Sequence, residues 1–343
     1  HQVCNHSSNS IWKELGVVMN LIVIATPLIE IPPSSYSGME REAGFLAKGL
    51  RLRGHDVTLY AKTGSTAPLD CRLVEYDDEK DLSSLISEKN FDAAIDFTHE
   101  KYLSVAHPDW PVINNFQIMS LTGNGINPVF ISHGQKKAKF PNTEGPIIYY
   151  GLDLDEYPFY DGARDGYLLF MGQVIREKRI EWACQVAIAT NRRLKIYGPQ
   201  WGPPEYTQLL RDYQEKHPDL IELNDSIGGQ EKIDALSKAY ALIHPVGGMG
   251  WAEAGAIVIL EAMAVGTPII GSDNGCIPEY LDVEPPVGFV CNSVQDMVGV
   301  VDLVRLVRPK DCRKRAEYFT MDRMSQAYER LAEEVANGKK WNI

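Results

Sequence analysis

Positive charge is scarce in this sequence: 34 lysines and arginines stand against 46 aspartates and glutamates, a net of −12. Nucleic-acid binding depends on concentrated positive charge, so that class of partner is excluded. Metal-ligand spacing is missing too. The six cysteines (Cys4, Cys71, Cys184, Cys276, Cys291, Cys312) are scattered with no Cys-x-x-Cys pair. That pattern fits a reduced, cytoplasmic setting rather than a disulfide framework or a zinc site. Long apolar runs are absent. The run at 21–29 meets Glu30 and Pro32-Pro33, well short of the ~20 residues of a membrane helix. No basic lead-in precedes it and no small-residue cleavage site follows, so it reads as a first buried strand rather than a secretory signal. Low-complexity tracts and short repeats are likewise lacking.

What is present suits a globular protein. At 343 residues and 44% hydrophobic, the chain is too long for one ordinary core and rich enough for two of roughly 150 residues each. Two lobes imply a cleft. Residues 1–18, before Met19, carry no periodicity and are set apart as an N-terminal extension or an artificial remnant.

From 20 onward, short β-branched runs alternate with helical patterns, the signature of parallel βαβ units and an α/β fold. The first lobe is expected to hold strands at 20–26, 57–61, 91–97, 112–116, 129–132 and 146–150, with a helix at 39–53 closed by Gly54. After a linker near 151–166 the alternation starts afresh. Strands are expected at 167–171, 194–197, 220–223, 241–244 and 268–271, with helices at 178–190, 205–216, 230–237 and 255–265. The segment 311–335, rich in both signs of charge, reads as one solvated packing helix.

The chemistry concentrates in Trp251-Ala252-Glu253-Ala254-Gly255-Ala256-Ile257-Val258-Ile259-Leu260-Glu261-Ala262-Met263-Ala264, followed by Val265-Gly266-Thr267-Pro268. Small residues at Ala254, Gly255 and Ala256 would let a ligand approach the backbone where the first helical N–H groups lack partners. Such a terminus suits a diphosphate. Like charge keeps Glu253 and Glu261 off the phosphates; each is better used as an acceptor for hydroxyls, a sugar on one side and a ribose on the other. By spacing alone, the segment reads equally well as an acidic cap before a buried helix.

Glu253-x7-Glu261 with Ala262-Met263-Ala264-x-Gly266-Thr267-Pro268 resembles the signature of retaining GT-B glycosyltransferases of family 4, the glycosyl transferases group 1. The resemblance extends over most of 19–335. Ser37-Gly38-Met39-Glu40-Arg41 and Gly54-His55-Asp56-Val57-Thr58 resemble the family's first loop and second strand, and Tyr149-Tyr150-Gly151-Leu152-Asp153 its interdomain segment. It implies a GT-B fold: two facing Rossmann-like domains, with 19–155 on the acceptor side, 156–315 binding the nucleotide sugar, and 316–343 packing back toward the first domain.

It also implies roles. Glu253 contacts the transferred sugar, Glu261 holds the ribose, and the amides of Ala254, Gly255 and Ala256 receive phosphate. Lys178, in Met171-Gly172-Gln173-Val174-Ile175-Arg176-Glu177-Lys178, matches the phosphate-binding lysine, where a cation offsets charge on the departing diphosphate. Gln173 stands where the family has arginine, with Arg176 or Arg179 as candidate substitutes. Gly38 and Met39 close over the donor. His99 lies where the family often has a histidine, and Gln117 replaces another. Tyr197-Gly198 and Asn224, each at a strand end, are candidates for a nucleobase edge, although ordinary turn chemistry explains them equally. The loop His244-Pro245-Val246-Gly247-Gly248-Met249-Gly250-Trp251 is expected to line the sugar pocket. Its glycines begin like a dinucleotide fingerprint, but Glu253 stands at the third position. Asp153-Leu154-Asp155 looks like a metal motif yet falls in the linker and is read as a turn.

The expected activity is retaining, metal-independent transfer of a hexose-type sugar, with no cofactor. The donor is a nucleoside diphosphate sugar, a UDP-sugar by default, and the acceptor a small molecule, glycan or lipid-linked hydroxyl. An epimerase on the same scaffold and a non-catalytic nucleotide-sugar binder are the alternatives.

Overall fold

A computed structural model describes residues 18–117, 126–248 and 250–341. Cys4, Met249 and all of the 1–18 extension except Val18 therefore lie outside the described residues. Short runs of buried β-branched and aliphatic residues form two six-stranded sheets in which every pairing is parallel. The first contains β1 (Asn20–Ile24), β2 (Asp56–Ala61), β3 (Arg72–Glu75), β4 (Ala93–Asp96), β5 (Val112–Phe116) and β6 (Pro128–Phe130). The second contains β7 (Leu168–Met171), β8 (Leu194–Tyr197), β9 (Ile221–Asn224), β10 (Ala241–His244), β11 (Ile269–Ser272) and β12 (Gly288–Cys291).

Their orders, β3-β2-β1-β4-β5-β6 and β12-β11-β10-β7-β8-β9, are the same doubly wound topology repeated. In such sheets the chain reverses direction of travel between the two central strands, which opens a crevice at their carboxyl ends. Here those crevices lie after β1 and β4 in one lobe and after β7 and β10 in the other.

The Met39–Leu52 helix covers the first sheet with Ala43, Leu46, Ala47 and Leu50, all buried. The segment 311–335 departs from expectation: it forms two helices, Pro309–Ala316 and Met321–Ala336. The ladder breaks because Leu152 crosses it, donating to the Phe319 carbonyl at 2.9 Å and accepting from the Met321 amide at 2.7 Å. Nor is the last helix a solvated one. Its Met324, Tyr328, Ala332 and Val335, at helical spacing, are buried. Fully buried Glu329 accepts from Arg53 Nε at 2.9 Å and meets His55 Nε2 at 2.7 Å, fastening this helix to the first lobe.

The lobes also touch across the cleft. Ser132 Oγ donates to the Ala254 carbonyl at 2.6 Å. The Glu279 carboxylate accepts from the amides of His133, at 3.0 Å, and Gly134, and from Tyr149 Oη at 2.6 Å. On the opposite side Gly228 lies against the Ser34 carbonyl so closely that no Cβ would fit.

Candidate functional site

Between these contacts, at the carboxyl ends of both sheets, lies a cavity of about 710 Å³, a size suited to a small-molecule ligand. From the first lobe it receives Gly38, Met39, His99 and Gln117. From the second come Gln173, Lys178, Tyr197, Gly198, Glu253, Ala254, Gly255, Ala256 and Glu261. Residues far apart in sequence thus share one chamber.

Glu253 is buried, and its backbone is pinned on both sides: its amide donates to Asn274 Oδ1 at 2.7 Å and its carbonyl accepts from Cys276 at 2.9 Å. Oε2 receives the Lys178 ammonium and lies 3.4 Å from His244 Nε2. Burial raises the carboxyl's pKa, but Lys178 and then His244 outweigh it, leaving the group at about 2 and therefore anionic at neutral pH. Burial also holds the His244 imidazole below its ordinary value.

Glu261 is fully buried. Oε1 accepts from Tyr157 Oη at 2.7 Å and Lys232 Nζ at 2.6 Å, with Arg41 Nε at 3.9 Å. Burial pushes this carboxyl up, but Lys232 and Arg41 more than compensate and its pKa is lowered. Oε2 has no hydrogen-bond partner among the described residues. Glu261 is among the cavity-lining residues, and a buried carboxylate oxygen without a partner is an acceptor still to be satisfied.

His99 stands beside Glu79, Nδ1 to Oε1 at 3.3 Å, and its amide donates to the same carboxylate at 2.9 Å. Gln117 Oε1 accepts from Tyr150 Oη at 3.1 Å, while its buried Nε2 has no partner among the described residues.

Four expectations need correction. The helix expected at 255 begins two residues later, as Ile257–Ala264. A Cβ on Gly255 would come within 2.6 Å of the Tyr150 ring and 2.8 Å of Ile131, so its smallness serves contact between the lobes. The first-turn amides are therefore those of Ile257 and Val258, with Ala254 to Ala256 forming the approach to them.

Asn224 does not reach the cavity. As the last residue of β9 it turns along β8, donating to the Ile196 carbonyl at 3.4 Å, and it borders a separate shallow depression. Ser226 and Ile227 line the cavity instead.

Neither arginine replaces Gln173. Arg176 reaches Glu205 at 3.0 Å on the surface, and Arg179 lies over Trp182 at 4.5 Å. That guanidinium also packs on Gly247 and Gly248, where a Cβ would stand 3.2 and 3.0 Å from it. The glycine loop therefore supports an arginine, and among its described residues only the ends, His244 and Trp251, line the cavity. Asp153, in the apparent metal motif, instead pairs with Lys48 and caps the Asp155 amide at 3.2 Å.

Sequence reasoning missed Tyr36, Glu40, Trp201 and Lys232, all in the cavity wall. Glu40 looks like an ordinary acid in a helix's first turn and Lys232 like an ordinary helical lysine. Only the cavity they share, and the 2.6 Å contact of Lys232 with Glu261, distinguishes them.

The second lobe carries the decisive likeness. Residues 165–303 match the model of the family described as glycosyl transferases group 1. No curated protein matches the chain. Among solved structures, AviGT4, a glycosyltransferase involved in avilamycin A biosynthesis, is 24% identical, with 94% of this chain and 99% of that one aligned at a TM-score of 0.81. A glycosyltransferase from Rickettsia africae is 14% identical over 93% of this chain and 99% of its own, at 0.74. HepE of Anabaena, solved with UDP-glucose, is 12% identical over 93% and 100%, at 0.68. The fold is GT-B, and the family match with that fold supports a glycosyltransferase.

Proposed function

We propose that the protein is a retaining, metal-independent glycosyltransferase of family 4 that transfers a hexose-type sugar from a nucleoside diphosphate donor, a UDP-sugar by default, to a hydroxyl acceptor. The observation that carries this reading is the convergence of Glu253, Lys178 and Glu261 on one cavity beside the Ile257–Ala264 helix. Each end of the donor has a matching group.

In this reading the unpartnered Oε2 of Glu261 accepts from a ribose hydroxyl. The pyrophosphate lies against the Ile257 and Val258 amides, where the helix terminus supplies partial positive charge. Lys178 turns from Glu253 toward the leaving phosphate and offsets the charge that builds as the glycosidic bond breaks. Glu253, anionic, accepts from hydroxyls of the transferred sugar. The departing phosphate stays on one face and takes the acceptor proton, so the anomeric configuration is kept without an enzymic nucleophile. Residues 19–155, with His99 and Gln117, face a small-molecule, glycan or lipid-linked acceptor; 156–315 hold the donor. Lobe contact at Ser132–Ala254 and Glu279 excludes water and suppresses hydrolysis.

HepE, by its description, binds UDP-glucose and shares this fold, which supports the choice of uridine. Calorimetry against UDP, GDP, ADP and TDP tests the donor site, and NMR of the product anomer tests the stereochemistry. Saturable binding of one nucleotide and an unchanged anomer are expected; an inverted anomer contradicts the mechanism. Activity is expected to survive EDTA. Gln173, which no nearby arginine replaces, favours a second reading as a nucleotide-sugar binder, which predicts binding without transfer or hydrolysis.

A further inference from the structure

Two side chains from separate elements converge on one oxygen of Glu253. Lys178 ends the turn Arg176–Lys178 that follows β7, and its ammonium reaches Oε2. His244 ends β10, and its Nε2 stands 3.4 Å from the same atom. All three side chains are buried, so water screens their charges poorly. With the imidazole neutral, one ammonium balances one carboxylate. Burial holds His244 below its ordinary value; Glu253 works against that shift and Lys178 adds to it. The other titratable groups that feel Glu253, namely Tyr36, Tyr150 and Cys276, are pushed well above their ordinary values by burial and stay uncharged. His244 stacks on Phe170 at 6.1 Å, and its Nδ1 has no hydrogen-bond partner among the described residues. Glu253 is therefore the group that decides whether this imidazole holds a second proton.

We infer that donor binding is coupled to proton uptake: as Lys178 turns to the diphosphate, the Glu253–His244 pair takes one proton from solvent, and the imidazolium, donating Nε2–H to Oε2, replaces the lysine as the partner of Glu253. This rests on the donor reading above. Without the exchange, a buried carboxylate would stand uncompensated beside a diphosphate, the costly outcome when a buried ion pair loses one member. With it, Glu253 stays anionic and fixed for the hydroxyls of the sugar. His244 is then a positioning residue that acts through Glu253.

Calorimetry of UDP binding in buffers of different ionisation enthalpy counts the protons exchanged. The terminal phosphate of UDP has a second pKa of about 6, so near pH 7.5 it is already ionised and contributes release rather than uptake. The parent protein is expected to take up about 0.5 proton or more per UDP near pH 7.5, and UDP affinity to fall severalfold from about pH 7 to about pH 8. In His244→Gln the uptake should drop below about 0.2 proton and the affinity become flat over the same range. No uptake by the parent overturns the inference, and so does the parent's full uptake persisting in His244→Gln, which assigns the proton to another group. Where His244→Gln fails to fold, Glu253→Gln serves instead: its amide needs no cation, and uptake that persists there overturns the inference too. If UDP does not bind the parent at all, the donor reading falls and this inference with it, whereas UDP binding without proton uptake removes the inference alone.

Discussion

Replacing Glu261 by Gln takes one charge out of a fully buried pair and leaves the Lys232 ammonium, 2.6 Å away, without its carboxylate. The amide keeps the shape and can still accept from Tyr157. What it cannot do is compensate a cation that burial already disfavours, as the lowered pKa of Lys232 indicates. Breaking a buried pair in this way costs about 3–5 kcal/mol, whereas removing both charges together is often close to neutral. Glu261→Gln is therefore expected to lower the melting temperature of the second lobe by roughly 10 °C, and Lys232→Met added to it should restore most of that loss. Arg41, 3.9 Å from the same oxygen, softens the single Lys232→Met change but not the coupling. The assay is a thermal unfolding series on the parent, both single variants and the double variant. A melting point for Glu261→Gln within about 2 °C of the parent, or a double variant equal to the sum of the singles, refutes the claim that these groups form one coupled unit.

Three other predictions rest on single observations. Gly255→Ala places a methyl group 2.6 Å from Tyr150, so the lobes must part; kcat/KM should fall about 10- to 100-fold in steady-state assays, and a change under twofold contradicts the role of lobe contact. Glu253 has a folded pKa depressed to about 2 from 4.5, so its stabilising contribution is present above 4.5 and lost as pH falls toward 2; Glu253→Gln should flatten this part of the acid-unfolding curve. The buried Glu42 carboxyl, whose Oε1 accepts from the Gly151 amide at 3.2 Å, is pushed well above its ordinary value by burial. The stability its neutral form carries is complete below about 4.5 and lost as pH rises toward the folded value, so Glu42→Gln should raise the melting temperature more at pH 8 than at pH 5.

Much of the fold could be read from local pattern. The strands at 112–116, 194–197 and 241–244 match β5, β8 and β10 residue for residue, because each is a short β-branched or aliphatic run between breakers. β3 and β12 escaped notice for the opposite reason. Both are edge strands, Arg72–Glu75 ending in exposed charges and Gly288–Cys291 opening on glycine, so neither offers a continuous apolar signal. The run at 146–150 has strand composition but makes only one bridge, Ile147 to Phe130.

The candidate site was legible where chemistry repeats a spacing, in that Glu253 and Glu261 both line the cavity. Elsewhere the deciding neighbour lies far away in sequence. Gly255 is small because of Tyr150, Arg179 packs on Gly247 and Gly248, Lys232 pairs with Glu261, and Glu40 shares the cavity wall with both. No local periodicity encodes such encounters.

Where a diphosphate sits in the cleft decides between these readings. A crystal soaked with UDP is predicted to place the pyrophosphate within hydrogen-bond distance of the Ile257 and Val258 amides and Lys178 Nζ, with a ribose hydroxyl on Glu261 Oε2. Density for the diphosphate anywhere else in the cleft, or a Glu261 Oε2 still unpartnered with nucleotide bound, would contradict it.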